Sequence, residues 1–333
     1  MSEPATIRLG DNAIYALRLA EGGMLLVDAG PDFDGAWDDA QVQAAAHGFT
    51  PSDVRAVLIT HGHIDHAGLA HRWAAAGARI LVGAADVAVL VGEGPRGAAS
   101  RDARRDELLR HGAPPSVLAA VRSTRAATSG RPELLWTALP SDAVEPIADG
   151  ATFALESSAE GSDELRVIAA PGHTPGNLVA FIDRCGDLYS GDTLLPETIP
   201  TAGLHFPVEQ PSAERPGARW PSLPAFIDSV DRLSALPVRR VLPGHGDPVT
   251  EPERLFTRFQ RHNERRGGRV RALLAEQPDS AHGIARRLFR RLPETRIAQA
   301  MTEVIGHLDG LLASGSATCA ADDAGVLIYR MRE

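Results

Sequence analysis

The sequence predicts a mixed α/β fold with α+β character. Strand, strand, helix patterns in both halves of a large domain over residues 1–250 suggest a two-sheet sandwich, and a small helical domain follows over residues 251–333. Three observations lead there. A chain of 333 residues with 44% hydrophobic and 23% charged residues can bury a full core and exceeds one average domain. Short apolar strand segments alternate with helical ones in both halves of the first 250 residues. Beyond Pro252 the periodicity changes to helices, closed by a short apolar strand.

Each element has a local cause. Ile14–Leu19 and Gly23–Gly30 are apolar runs separated by Glu21-Gly22-Gly23, which predicts a hairpin. A helix is expected from about Asp34 to His47. Thr50-Pro51-Ser52-Asp53 reads as a capped helical turn, with Thr as N-cap and Pro at the first helical position. The continuous apolar run Val54–Thr60 is a buried-type strand that delivers the chain into His61. Leu69–Ala78 is helical and Ala78–Gly83 returns as a strand. The loop that begins at His61 therefore lies between a strand C-terminus and a helix N-terminus, where α/β folds place sites. Residues 84–135 hold helical pieces, Arg101–Gly112 and Pro114–Ala127 among them, broken by Gly and Pro; they read as a helical insertion near the mouth of the site. Strands resume from about Val144 to Tyr189, an irregular loop runs from Pro196 to Pro221, and a helix over Leu223–Leu236 with a strand over Arg239–Gly244 closes the large domain. Three helices, Arg254–Glu276, Ser280–Leu292 and Thr295–Gly315, and a terminal hairpin ending in Gly325–Met331 predict a winged-helix-like module.

Composition narrows the chemistry. No segment approaches the roughly 20 apolar residues that span a bilayer, and the N-terminal stretch has no basic region followed by an apolar run. The expectation is a soluble, cytoplasmic protein without a membrane role. Every one of the 34 basic residues is arginine, which excludes a lysine nucleophile or Schiff base. Net charge is −9, with 14 Arg against 11 acidic residues from Glu251 onward, so the first 250 residues are strongly acidic and ill suited to attract polyanions. Cys185 and Cys319 sit in no Cys or His cluster and read as free thiols.

The chemistry is concentrated in His61-Gly62-His63-Ile64-Asp65-His66. Four metal-ligand side chains on one tight loop are hard to explain by packing, and imidazole with carboxylate suits a first-row divalent metal. The spacing lets His61 and His63 reach one ion while Asp65 and His66 turn to another. Three later segments each place one ligand-type residue after a strand and beside glycine: His173 in PGHTPG, Asp192 in SGDTLL and His245 in PGHGDP. Singly, each is a loop histidine or a turn aspartate; together with the first cluster they form a candidate centre.

These four motifs, in this order, resemble the metallo-β-lactamase superfamily over about residues 5–250. The resemblance implies a four-layer αβ/βα sandwich with the site along the open edge between the sheets. It also implies that His61, His63 and His173 hold a first metal, that Asp65, His66 and His245 hold a second, and that Asp192 bridges both. The expected cofactor is two Zn2+ per chain, with Fe or Mn able to use the same ligands. The diiron flavoprotein branch usually has glutamate where His63 stands, so redox chemistry is not expected; Asp192 stands where true zinc β-lactamases commonly have a cysteine and the N-terminal stretch reads as no secretion signal, so antibiotic hydrolysis is not expected either. Arg-rich segments of the tail resemble the C-terminal module of the β-lactamase-like protein 2 branch.

Two divalent ions roughly 3.5–4 Å apart would acidify a shared water to hydroxide near neutral pH. Asp65 and Asp192 are the expected catalytic carboxylates, Asp65 receiving or passing the proton. Asp28, Thr60, Thr174 and Ser190 are expected to support the ligands, since a metal-bound imidazole needs an acceptor for its other N–H. Phe33, Trp37, His205, Phe206 and Trp220 are expected to line a substrate pocket. The favoured activity is hydrolysis of a small ester, a thioester of acyl-CoA or glutathione type, or a lactone. Single-strand RNA cleavage is the alternative, and a winged-helix DNA-binding regulator with a vestigial metal domain ranks below it. The expected partner is a small-molecule substrate, with nucleic acid disfavoured and a homodimer compatible.

Overall fold

The computed structural model describes residues 4–119, 132–156, 163–206 and 219–332. The first sheet carries β1 (Ala5–Leu9), β2 (Asn12–Arg18), β3 (Met24–Val27), β4 (Val54–Ile59), β5 (Arg79–Gly83) and β6 (Val144–Ile147) in that order. Its first three strands are antiparallel and β3 to β6 are parallel. The second sheet has the order β11 (Arg240–Pro243), β10 (Asp187–Gly191), β9 (Leu178–Ile182), β8 (Asp163–Ala169) and β7 (Thr152–Leu155), antiparallel except for the parallel β10–β11 pair.

The sandwich follows from strands that are apolar on both faces. Along β4, Ala56 and Leu58 point between the sheets while Val57 and Ile59 point outward. Along β9, Leu178, Ala180 and Ile182 face the other sheet, and Val179 and Phe181 face away. The outward face of sheet one is covered by α1 (Ala36–Ala46) and α3 (Ala70–Ala75), with Trp73 at its centre. That of sheet two is covered by α6 (Ser222–Ser234) and the start of α7 (Pro252–Glu276), through Phe226, Phe256 and Phe259. Helix, sheet, sheet, helix is the layer order. The turn at Thr50 forms as expected, with the Thr50 N–H donating to Asp53 Oδ2 at 2.7 Å.

Helices α2 (Ile64–Ala67), α4 (Val87–Val91) and α5 (Ala98–Arg110) follow the parallel strands, and α4 and α5 fall within residues 84–135. Residues 120–127 of the Pro114–Ala127 piece, and residues 207–218 of the Pro196–Pro221 loop, lie outside the described residues. After α7 come α8 (Ala281–Leu288), α9 (Glu294–Ala313) and the hairpin of β12 (Ala317–Ala321) with β13 (Leu327–Met331). Their core, centred on Ile284, Met301, Val304 and Tyr329, also takes Leu108 and Val117 from the insertion. Among the described residues no helix is long and apolar enough to cross a membrane.

Candidate metal centre

The strand ends aim the site. β4 ends at Ile59 and the next residues form a loop that leads into α2; His61 and His66 are buried there. His173 stands on the loop from β8 to β9, Asp192 follows β10, and His245 follows β11. All seven sequence-predicted ligands converge. His63 Nδ1 lies 3.0 Å from both His61 Nε2 and His173 Nε2. His66 Nε2 lies 3.1 Å from His245 Nε2, and Asp65 Oδ2 lies 3.3 Å from that same His245 nitrogen. Asp192 stands between the two groups: Oδ1 is 3.2 Å from His66 Nε2 and 3.4 Å from His245 Nε2, while Oδ2 is 3.5 Å from His173 Nε2.

These separations suit a cation. Two ligands bound at about 2.1 Å to a tetrahedral ion lie about 3.4 Å apart, within a few tenths of an ångström of these separations. In three groups, His61/His63/His173, His61/His66/Asp192 and Asp65/His66/His245, the donor atoms lie within 4.8 Å of one another. Asp192 Oδ1 is buried and receives a hydrogen bond from neither neighbouring ring nitrogen. Burial, then the neighbouring imidazoles, hold His61 and His63 well below the ordinary histidine range, which leaves neutral rings with lone pairs to give. Burial likewise lowers His173. For His66 burial opposes charge, but the Asp192 and Asp28 carboxylates outweigh it and raise its pKa. Asp65 and Asp192 stay below the usual carboxylate range despite burial, because histidines surround them.

The outer nitrogens are fixed as well. Asp28 Oδ2 accepts from His66 Nδ1 at 2.7 Å and from the Thr60 hydroxyl at 3.1 Å, and that hydroxyl lies 3.1 Å from His61 Nδ1. His173 Nδ1 donates to the Thr201 carbonyl at 3.0 Å. Asp28 and Thr60 therefore contact the rings of His66 and His61. Thr174 and Ser190 have other partners: Thr174 donates to Asp86 at 2.7 Å, and Ser190 to the Leu194 carbonyl at 2.9 Å.

Asp86 escaped the sequence reading. Fully buried, it accepts from Gly62 N–H at 2.9 Å, Gly176 N–H at 2.9 Å and Thr174, and so ties the first histidine loop to the His173 loop. Burial raises its pKa against those three donors. In sequence it was one more aspartate after a strand, a position that reads as a helix cap.

A cavity of about 400 Å³ opens beside His63, walled by α4, α5 and residues 204–206. His205 and Phe206 are among the residues that line it. Burial and the Arg104 charge push the His205 pKa down to about 3, and its Nε2 donates to the His173 carbonyl at 2.8 Å. The other three expected pocket residues lie elsewhere. Trp37 meets Trp73 edge-on at 4.8 Å, and Phe33 packs in the same outer core. The backbone of Trp220 pairs with that of His205, outside the cavity lining.

A four-layer sandwich with paired His and Asp clusters at its strand ends is the architecture of a metallo-hydrolase. Residues 7–245 match the family described as the metallo-beta-lactamase superfamily, and residues 268–332 match the metallo-beta-lactamase-like C-terminal domain. The chain belongs to the metallo-β-lactamase superfamily. The probable metallo-hydrolase YqjP of Bacillus subtilis is 27% identical over 326 residues, 95% of this chain and 92% of that one. The beta-lactamase-like protein 2 homolog of Drosophila melanogaster is 23% identical over 181 residues, covering 53% of this chain and 54% of that protein. Of solved structures, a metallo-beta-lactamase family protein from Thermus thermophilus has TM-score 0.72 and 25% identity, covering 99% of this chain and 98% of its own. A beta-lactamase domain protein from Burkholderia ambifaria shares the fold, with TM-score 0.70, 23% identity and coverage of 99% and 93%.

Proposed function

We propose that this chain hydrolyses a small carbonyl ester, thioester or lactone with two divalent cations, zinc being the ion that the nitrogen-rich donor set favours. His61, His63 and His173 would hold one, Asp65, His66 and His245 the other, and Asp192 both. When bound, such ions supply Lewis acidity and bring water toward deprotonation near neutral pH. The chain's own residues do the rest. Asp28 and the Thr201 carbonyl fix the rings of His66 and His173 with their second nitrogens inward. Asp65, an ionised carboxylate, takes a proton from the attacking water while the water oxygen bonds to the substrate carbonyl carbon and the carbonyl π pair moves onto its own oxygen, to return as the leaving group departs. As the C–O or C–S bond breaks, that proton passes to the leaving oxygen or sulfur.

The observation that carries this reading is the place of the cavity. It begins at His63, so a carbonyl over the two clusters has a protected space for its substituent. Zinc-reconstituted protein assayed against acyl thioesters, lactones and single-stranded RNA tests it. Zinc-dependent turnover of at least one carbonyl substrate is expected; RNA cutting without such turnover overturns the reading.

A further inference from the structure

We propose that the cavity beside His63 is an acyl-chain subsite built by α4 and α5, and that the preferred substrate carries an unbranched acyl group of about eight carbons; this rests on the hydrolase reading above.

The lining argues for a chain. Ala88, Val89, Ala99, Ala103, Leu204 and Phe206 supply its apolar surface. Several of the polar groups beside them hold the walls together. Asp86 is taken by Gly62, Thr174 and Gly176. Glu93 accepts from Ala98 N–H at 2.6 Å, Arg104 Nε donates to the Leu204 carbonyl at 3.3 Å, and His205 donates to His173. A base or sugar would need a grid of uncommitted donors and acceptors; these walls turn methyl and methylene groups inward instead.

Size sets the length. A cavity of about 150 Å³ holds the six carbons of benzene, so about 400 Å³, part of it open at the mouth, accommodates an unbranched chain of about eight carbons or more. Close contacts hold its walls in place. A Cβ on Gly62 would press on Val89, and one on Gly94 would overlap the Trp136 ring, whose Nε1 donates to the Gly92 carbonyl at 3.1 Å. Trp136 therefore backs the link between α4 and α5 and reports on it.

Two measurements on the zinc-loaded full chain test the proposal. With N-acetylcysteamine thioesters from acetyl to hexadecanoyl, kcat/KM should rise about two- to fourfold per methylene up to about eight to ten carbons and then level. Ala103→Leu, which keeps a good helix former in α5, should lower the octanoyl-to-acetyl ratio at least tenfold. Separately, octanoate should change the fluorescence of Trp136 saturably, the change vanishing in Trp136→Phe, and should bind about tenfold more weakly to Ala103→Leu. A flat chain-length profile, or an unchanged ratio in Ala103→Leu, overturns the subsite. If no carbonyl substrate turns over, the hydrolase reading falls, and octanoate binding alone then decides the subsite: saturable binding weakened by Ala103→Leu upholds it, and its lack overturns it.

Discussion

Asp28 Oδ2 lies 2.7 Å from His66 Nδ1, and Asp28 is the one non-glycine among the described residues with positive φ, at 68°. The left-handed conformation costs about 1–3 kcal/mol and persists only where surrounding contacts fix it. Here both carboxylate oxygens are used: Oδ1 accepts the Thr60 N–H at 2.7 Å, while Oδ2 accepts His66 and the Thr60 hydroxyl. Asparagine offers one acceptor and would turn an NH2 against a donor. Asp28→Asn should therefore lower metal affinity or kcat/KM by about 10- to 100-fold while the circular dichroism stays native; unchanged metal titration in competition with a chelator would show that Asp28 serves only the backbone.

Metal removal should destabilise the protein. Without cations the buried rings and carboxylates lose their partners, and a ligand at about 1,000 times its Kd contributes about 4 kcal/mol. Stripping metal with a chelator should lower Tm by about 8 °C or more, reversibly on adding zinc. Asp192→Asn should lower metal content below two per chain by elemental analysis.

Arg258, on the first helix of the C-terminal region, donates to the carbonyls of Pro196 at 2.6 Å and Thr198 at 3.0 Å, and also to that of Leu195. That loop follows Asp192, its Pro196 sits against Gly246 beside His245, and it leads on to Thr201 and His205. Arg258→Ala should cut kcat/KM about tenfold, with Arg258→Lys regaining part of it, since an ammonium can reach some but not all of these carbonyls. Equal activity in all three proteins would detach the helix from the site.

Glu107 on α5 meets Arg219 at 2.9 Å and His111 at 3.1 Å, and Arg219 also forks onto Asp309 of α9 at 2.6 Å. Burial would raise the Glu107 pKa, but His111 and Arg219 bring it down to about 2. A carboxylate whose folded pKa is depressed contributes stability that is full above its unfolded pKa and fades as pH falls through the folded one. Glu107→Gln should be less stable than wild type by on the order of 3 kcal/mol at pH 7. Urea midpoints should show this gap narrowing as pH drops below about 4.5.

Gly83, at the end of β5, abuts the carbonyl of Gly176 so closely that a Cβ would overlap it. Gly83→Ala should cost about 1–3 kcal/mol, a fall of several degrees in Tm, and should disturb the His173 loop. A full Tm would mean that the two loops part easily.

Much of the sandwich could be read in advance, because its strands are apolar on successive residues and its turns carry Gly, Pro or a capping Thr. The histidine loop was equally plain, since four ligand types within six residues are a local pattern. Trp37 and Phe33 misled: an aromatic side chain looks the same in a pocket wall and under a helix, and only the orientation of α1 over Trp73 sends them to the outer core. Asp86 and Arg258 stayed hidden because their partners lie far away in sequence, at Gly176 and at residues 195–198.

The strands, the donor types and the strand ends that carry them were written in the linear chain, because they depend on periodicity and on residues adjacent to one another, whereas the layer order came from the family resemblance. Folding in three dimensions settled which oxygen of Asp192 faces which cluster, and that α4 and α5 open a cavity at His63 rather than at His245. Distances between segments far apart in sequence are set by how whole layers pack, and no local pattern encodes that packing.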